Sequence, residues 1–512
     1  MPTVTLNSAA GKWIMASTIL ASSMAFIDAT ALNVILPALQ QGLKATGADL
    51  FWILNAYLLM LASLILIGGA TGDKLGRKKI FMTGIFIFII GSAACGLAAS
   101  VLILVICRVL QGIGGALMIP GSLSLISSSI NAKERGKAIG TWSAFTTVVT
   151  MGGPVLGGAL ADAGLWRYIF FINLPIGIIA LGMLAFKVKE IKDEDSKAGL
   201  DFAGAITIAL ALALITFGFL RVPAVGLANV QAYGSLVAGI LFFILFIVIE
   251  IKSSNPMMPL KLFNNSTFSG ANLLTFFLYA GLGAGMLFLS LNLVQVQGYS
   301  QLQSGLTFLP FTILMIAIAR FAGGLADKHG PRLFLIGGPA VAGTGLFILS
   351  LVKQTDGPSA YWITFFPGVL VLGLGMSFTV APLTAAVMAS VSDHFSGTAS
   401  GVNNAMTRIS GVFANAIFGA LAVLFFSGAL QRDLQNTSLN NKDKQLIMQQ
   451  AKNLGNAKVP VSITTNKQQI EKYYHKEFIG AYASIMRISA GLGYLGALMA
   501  LIFIRNKAAG KT

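Results

Sequence analysis

The stretch Gly69-Ala-Thr-Gly-Asp73-Lys-Leu-Gly76-Arg77-Lys78-Lys79 returns later in the chain as Gly323-Gly-Leu-Ala-Asp327-Lys-His-Gly330-Pro-Arg332. Each copy follows a long apolar run, 50–70 in the first case and 303–320 in the second. Repeats separated by an even number of membrane-crossing helices lie on the same side of the bilayer, which is the parallel two-half arrangement found in some transporters. Gly69 and Gly72 permit close helix approach and a sharp turn, and Asp73 sits where it could face the positive N-terminal end of another helix. A contact of that kind can be made in one conformation and broken in another. Arg77, Lys78 and Lys79 also suit an anionic inner leaflet, so topology setting alone would account for them.

Outward from this repeat the chain is apolar almost throughout. Of its 512 residues 55% are hydrophobic and only 10% charged, with a mean hydropathy of +0.79, where a soluble chain would carry roughly 25% charged residues. Runs of the ~20 residues needed to cross ~30 Å of hydrocarbon recur from end to end, so the expected fold is an all-α membrane bundle with backbone groups satisfied within each segment. Fourteen helices are predicted, at 13–36, 50–70, 80–100, 101–127, 138–160, 168–187, 202–221, 232–251, 268–296, 303–320, 333–352, 361–390, 399–428 and 478–504. The first lacks the small-residue cleavage site of a signal peptide and is read as a retained helix. The domain reading is a six-helix half over 1–200, two extra central helices over 201–252, and a second six-helix half over 253–512.

The net charge of +17 does not point to nucleic acid, because the Lys and Arg residues are scattered among short loops rather than gathered on one face. With the termini placed in the cytoplasm, nineteen of them fall in inner segments while the short outer loops hold only Lys44, Arg167, Arg221 and Lys353. The positive-inside rule therefore sets a cytoplasmic-membrane topology with both termini inside. A polar Asn/Gln/Lys-rich segment at 429–477 is placed outside, either as a helix or hairpin over the outer mouth or as a solvated, tolerated insertion. Cys95 and Cys107 lie in apolar helices and read as small hydrophobes, and no Cys/His cluster suggests a metal. His329, His394 and His475 sit in separate loops, which argues against an enzyme. No G-x-x-x-x-G-K-[ST] sequence is present, so an ion gradient rather than ATP is the expected energy source, with no cofactor. Gly281-Leu-Gly283-Ala-Gly285 lies mid-helix with no strand before it and reads as helix packing.

Asp28 is the one acid placed well inside a helix core, and intramembrane ionisable residues are costly enough to default to functional hypotheses. It lies about 22 Å from the inner end of helix 1, while Arg108 lies about 10 Å below the outer end of helix 4. Across ~30 Å of hydrocarbon these depths nearly coincide, so the two could face one another. Desolvation favours a neutral acid and a nearby guanidinium favours the carboxylate, and a balance between them would let Asp28 exchange a proton. A purely structural ion pair holding two helices in register would use the same residues. Arg408 and Arg487 have no evident acidic partner; carbonyl contacts, snorkelling or an anionic substrate group would each account for them.

The Gly69–Lys79 stretch resembles the signature loop of the major facilitator superfamily. Further matches narrow the resemblance: Ile27-Asp28-Ala-Thr30-Ala-Leu-Asn33-Val-Ile-Leu-Pro37 in helix 1, Arg108-Val-Leu-Gln111-Gly112-Ile-Gly114-Gly115 in helix 4, Gly153-Pro154-Val-Leu-Gly157-Gly158 in helix 5, and Trp166-Arg167-Tyr-Ile-Phe-Phe-Ile-Asn173-Leu-Pro175. These are similar to the fourteen-helix drug:proton antiporters, and the likeness covers essentially the whole chain. It implies proton and substrate coupling through Asp28 and Arg108, substrate contact through Asp28, Asn33, Arg108 and Gln111, and switching through the two loop repeats. The helix 5 pattern physically gives a kink beside small residues, and in the family it accompanies antiport; the Gly expected four positions before Gly153 is Val149 here. The implied activity is proton-coupled export of hydrophobic or cationic compounds by a monomer among membrane lipids. The 35 Phe and 18 Met suit a broad apolar cavity. A dedicated exporter of one metabolite, lipid or siderophore is the other reading, since the excess of membrane arginines would suit an anionic cargo.

Overall fold

The computed structural model describes residues 4–188, 190, 201–391, 396–435, 437, 439–463 and 466–505. Fourteen long helices follow in order: α1 (Ala9–Leu43), α2 (Gly47–Leu75), α3 (Arg77–Leu97), α4 (Val101–Ser129), α5 (Ala132–Asp162), α6 (Tyr168–Lys187), α7 (Phe202–Val225), α8 (Val230–Lys252), α9 (Ser266–Gln295), α10 (Gln301–Leu306 running on into Leu309–His329), α11 (Arg332–Leu349), α12 (Tyr361–Ala389), α13 (Ser396–Gln435) and α14 (Lys467–Phe503). Among the described residues thirteen of these are long and apolar enough to cross a membrane, and the final 15 residues of α5 form a shorter apolar stretch. The only extended pairing described is an isolated bridge between Val4 and Ile130. The chain is thus an all-α, multi-pass membrane protein.

Short connections are possible because polar residues terminate the helices locally. The side chains of Ser100, Asn131 and Asn265 accept the backbone N–H groups of Ile103, Glu134 and Phe268 at the starts of α4, α5 and α9. Each satisfies one of the donors that a helix start leaves open. The residues before α1 are tied down as well: Val4 donates to the Ser129 carbonyl (2.8 Å) and Leu6 to the Glu134 carboxylate (2.8 Å).

Two compact units emerge. One comprises Met1–Leu32, Trp52–Ile215 and Val237–Leu260, and the other Asn33–Phe51, Thr216–Leu236 and Lys261–Thr512. In the first, α3 and α4 pack along their length; in the second, α11 and α12 do the same, and α14 packs against α9 and α11.

The described residues of the segment 429–477 are folded. α13 runs on to Gln435 and α14 begins already at Lys467, and between them lie a helix Asn441–Gln449 and a 3-10 turn Gln450–Asn456. At 1.5 Å per residue the 40-residue α13 is about 60 Å long, twice the hydrocarbon core, so its polar end projects beyond the apolar window. Ile447, Leu454 and Tyr474 are fully buried, and the Tyr474 hydroxyl donates to the Ile447 carbonyl (3.1 Å). Gln40 at the end of α1 gathers this segment, donating to the Asn453 carbonyl (3.3 Å) and accepting from Asn456 (3.4 Å) and from Gln295 of α9 (3.0 Å).

Candidate functional site

In the first unit α1 and α4 bring Asp28, Arg108 and Gln111 together in a site with almost no exposure: 1%, 1% and 0%. Arg108 Nη1 donates to Asp28 Oδ2 and to Gln111 Oε1 (2.8 Å), and Gln111 Nε2 donates to Asp28 Oδ1 (3.0 Å). Both carboxylate oxygens are therefore occupied. Arg108 Nε donates to the Ile53 carbonyl (3.3 Å), and its guanidinium lies 4.4 Å from the centre of the Tyr57 ring. A buried ion pair is tolerated only when its remaining donors and lone pairs are satisfied in this way, and Arg, with a planar fork and a flat face for stacking, is suited to it.

A second rank of polar groups extends the cluster toward α3 and α6. Gln111 Nε2 reaches Ser92 Oγ (3.3 Å), which also accepts from Asn173 Nδ2 (2.9 Å) and donates to the Phe170 carbonyl (2.7 Å). Cys95, expected to be a plain hydrophobe, directs its thiol at Gln111 Oε1 (3.7 Å). Ser92 carried no signal in the sequence, and Asn173 was visible only as part of a motif. Asn33 is half-buried on α1 and makes no hydrogen bond among the described residues, so the structure does not bring it into this cluster.

The helix 5 motif meets α1 beside Asp28. A Cβ on Gly153 would collide with Thr30 Oγ1, one on Gly157 would lie 2.9 Å from the Ala31 carbonyl, and Thr30 Oγ1 donates to the Thr150 carbonyl (2.9 Å). Gly158 is buried and Pro154 lies within α5. These small residues allow α1 and α5 to touch backbone to backbone within three positions of Asp28.

At the loop repeat, Gly76 has φ 110°, and Gly330, its counterpart, φ 83°, in the region that glycine tolerates and side chains resist. The side chains of Asp73 and Asp327 lie outside the described residues. A different acid, missed in the sequence, occupies the first copy: Glu190 accepts the Lys78 and Lys79 backbone N–H groups (3.0 Å each) at the start of α3. A carboxylate at a helix N-terminus meets open donors and the positive end of the dipole. Arg77 donates to the Ser124 carbonyl of α4 (3.3 Å), and Arg332 to the Leu501 carbonyl of α14 (2.9 Å), so each arginine grips a neighbouring helix. Gly69 and Gly323 sit in matching places: a Cβ on Gly69 would lie 3.7 Å from Pro120, and one on Gly323 3.5 Å from Ala381. Arg408 has no hydrogen bond or ion pair among the described residues and lies near the Tyr279 hydroxyl of α9, while Arg487 is exposed.

Residues 18–415 match the Major Facilitator Superfamily. The chain belongs to that superfamily. It is 32% identical over 400 residues to the tetracenomycin C resistance and export protein of Streptomyces glaucescens, covering 78% of this chain and 73% of that one. It is 31% identical over 416 residues to the multidrug resistance protein Stp of Mycobacterium tuberculosis (80% and 76% covered), and 29% over 412 to the methylenomycin A resistance protein of Bacillus subtilis (79% and 87%). Its fold is similar to that of a bacterial homolog of the human lysosomal transporter Spinster, with a TM-score of 0.67 at 19% identity over 97% of this chain and 98% of that one. A superfamily chain with these relatives is a secondary-active small-molecule transporter of the drug-resistance type, not an enzyme. Among the described residues no three His, Cys, Asp or Glu side chains gather as a metal site would require.

Proposed function

We propose that this transporter is a proton-coupled exporter of hydrophobic or cationic compounds, an antiporter of the fourteen-helix kind. The single observation carrying this reading is the buried Asp28, Arg108 and Gln111 cluster beside the close crossing of α1 and α5. When Asp28 is ionised, Arg108 and Gln111 hold it and lock α1 to α4. A proton arriving on Asp28 removes the charge that Arg108 neutralises, the guanidinium loses its partner, and α1 is freed to move along α5. Proton binding then favours one access state and substrate binding the other, which is the differential affinity alternating access requires. Arg108 and Gln111, and Asn33 further along α1, are the residues proposed to meet substrate. The loop repeats, through Gly69, Asp73, Gly76, Arg77, Gly323, Asp327, Gly330 and Arg332, act as the switch. The proposed organisation is a half over 1–200, an inserted pair of helices over 201–252 and a half over 253–512, in a monomer in the cytoplasmic membrane with both termini inside. The resistance proteins named above support the export direction.

Arg408, with no partner beside Tyr279, favours a second reading, a dedicated exporter whose cargo carries an anionic group. Substrate-driven proton movement in proteoliposomes with lipophilic cations and anions separates the two. Flux should require a cation and vanish in Asp28→Asn. Flux driven by anions alone would establish the second reading, and undiminished flux in Asp28→Asn would move the proton site elsewhere.

A further inference from the structure

A second pair of acids, Glu250 buried and Asp201 half-buried, lies where α7 begins and α8 ends. Glu250 is 3% exposed, and Asp201 directly precedes Phe202, the first residue of α7. Each acid uses one oxygen locally: Glu250 Oε2 accepts the Met258 N–H (2.9 Å), and Asp201 Oδ1 accepts the Gly204 N–H (2.7 Å). The two remaining oxygens, Glu250 Oε1 and Asp201 Oδ2, are buried and have no hydrogen-bond donor. Both lie 2.8 Å from the point where a Cβ on Gly204 would stand, so they are no further apart than twice that distance. Neither acid has an ion pair among the described residues; Lys252 and Lys261, close by in sequence, form none with them.

Two carboxylates aimed at one another in a buried place are unfavourable when both are charged, and one proton held between them removes the repulsion and supplies the missing donor. We propose that Asp201 and Glu250 form a proton-binding site separate from Asp28, sharing a single proton at the junction of the two inserted helices. The shared proton ties the start of α7 to the end of α8 and, through Glu250 Oε2, to the Met258 backbone in the segment that leads to α9. On the topology set by the basic loops this junction faces the cytoplasm, so the site takes its proton from that side. Such a pair titrates as a unit. When the proton leaves in alkaline medium, repulsion separates the acids and releases the Met258 N–H.

Infrared spectra of the full chain in liposomes test this, with Asp28→Asn as the parent so that the coupling acid contributes nothing. The parent should show a protonated-carboxyl C=O stretch at neutral pH that is lost in both Asp28→Asn/Glu250→Gln and Asp28→Asn/Asp201→Asn. Adding Gly204→Ala, whose methyl would wedge between the oxygens, should lower the pH at which the band disappears. An unchanged band in both double variants, or a parent band that appears only when sodium or calcium is removed, would overturn the proposal, the latter by assigning the pair to a metal cation. Glu250→Gln with Asp28 intact should keep substrate-driven proton flux, so the fate of this pair and that of the coupling reading are scored separately.

Discussion

The two halves of the chain use the same backbone contacts around different chemistry. A Cβ on Gly84 of α3 would lie 2.9 Å from the Gly114 carbonyl of α4, and one on Gly338 of α11 would lie 2.9 Å from the Gly375 carbonyl of α12. Seven residues on, Gly91 faces the Gln111 backbone nitrogen, and Gly345 faces that of Leu372. Gly112 rests on the Tyr57 backbone and Gly373 on that of Phe311. In this register Gln111 is matched by Leu372, Arg108 by Val369, Ser92 by Leu346 and Tyr57 by Phe311. Val369 and Leu372 are buried as fully as the polar residues they match. The second half therefore demonstrates that the helix crossing needs neither charge nor amide. A buried ion pair is weak evidence for stability and is often replaceable by apolar side chains of similar volume. Among the described residues a buried ion pair occurs in one half only, so packing does not require it.

The largest expected effect comes from breaking that asymmetry halfway. Arg108→Val leaves the Asp28 charge buried and uncompensated, which should destabilise the protein by about 3–5 kcal/mol. Completing the conversion, Asp28→Leu with Arg108→Val and Gln111→Leu, should recover most of that loss because the site then resembles the packed second half. Thermal unfolding in detergent reads the stability, and substrate-driven proton flux should be absent in both proteins. A triple variant no more stable than the single would mean that the cluster is structural after all.

Much of this was legible in the sequence because the signals are local or periodic. The loop repeat displays its glycines and aspartates in one short stretch, and the matching depth of Asp28 and Arg108 follows from a fixed rise per residue across a bilayer of fixed thickness. The contacts of Glu190 were not legible: its partners, the Lys78 and Lys79 amides, lie more than a hundred residues away and belong to the backbone, which has no residue identity to read. Ser92 looked like any small helical residue. In the 429–477 segment the polar composition left a folded and a solvated reading both open, since buried apolar residues such as Leu430, Ile447, Leu454, Ile470 and Tyr474 are dispersed among polar ones. Glu250 stood at a helix end, where an acid is ordinarily solvated, and its backbone partner, Met258, is reached only where the chain returns.

The shared frame itself can be stressed at equivalent points. Gly91→Ala and Gly345→Ala each push a methyl into the facing backbone, and overpacking of this kind costs typically 1–3 kcal/mol. If the backbone crossing is the common element, the two variants should lower the unfolding temperature in detergent by similar amounts. Gly345→Ala should leave the Asp28 cluster untouched, whereas Gly91→Ala displaces Gln111 and should also slow proton flux. Equal loss of flux in both would deny the functional difference between the halves.

The smallest effect concerns the start of α3. Glu190 accepts two amides there, whereas at the start of α11 the described contact is Arg332 reaching the Leu501 carbonyl. Glu190→Gln keeps the shape and removes the charge, so the helix loses its interaction with a carboxylate at the positive end, worth about 0.3–1 kcal/mol. Amide exchange at Lys78 and Lys79 should quicken several-fold while exchange at the start of α11 stays as it was. Because the loss is small, folding should be unaffected and the change should appear in the rate of transport, with access states exchanging faster if Glu190 holds α3 in one of them. Quickened exchange with an unchanged transport rate would reduce the contact to a helix cap.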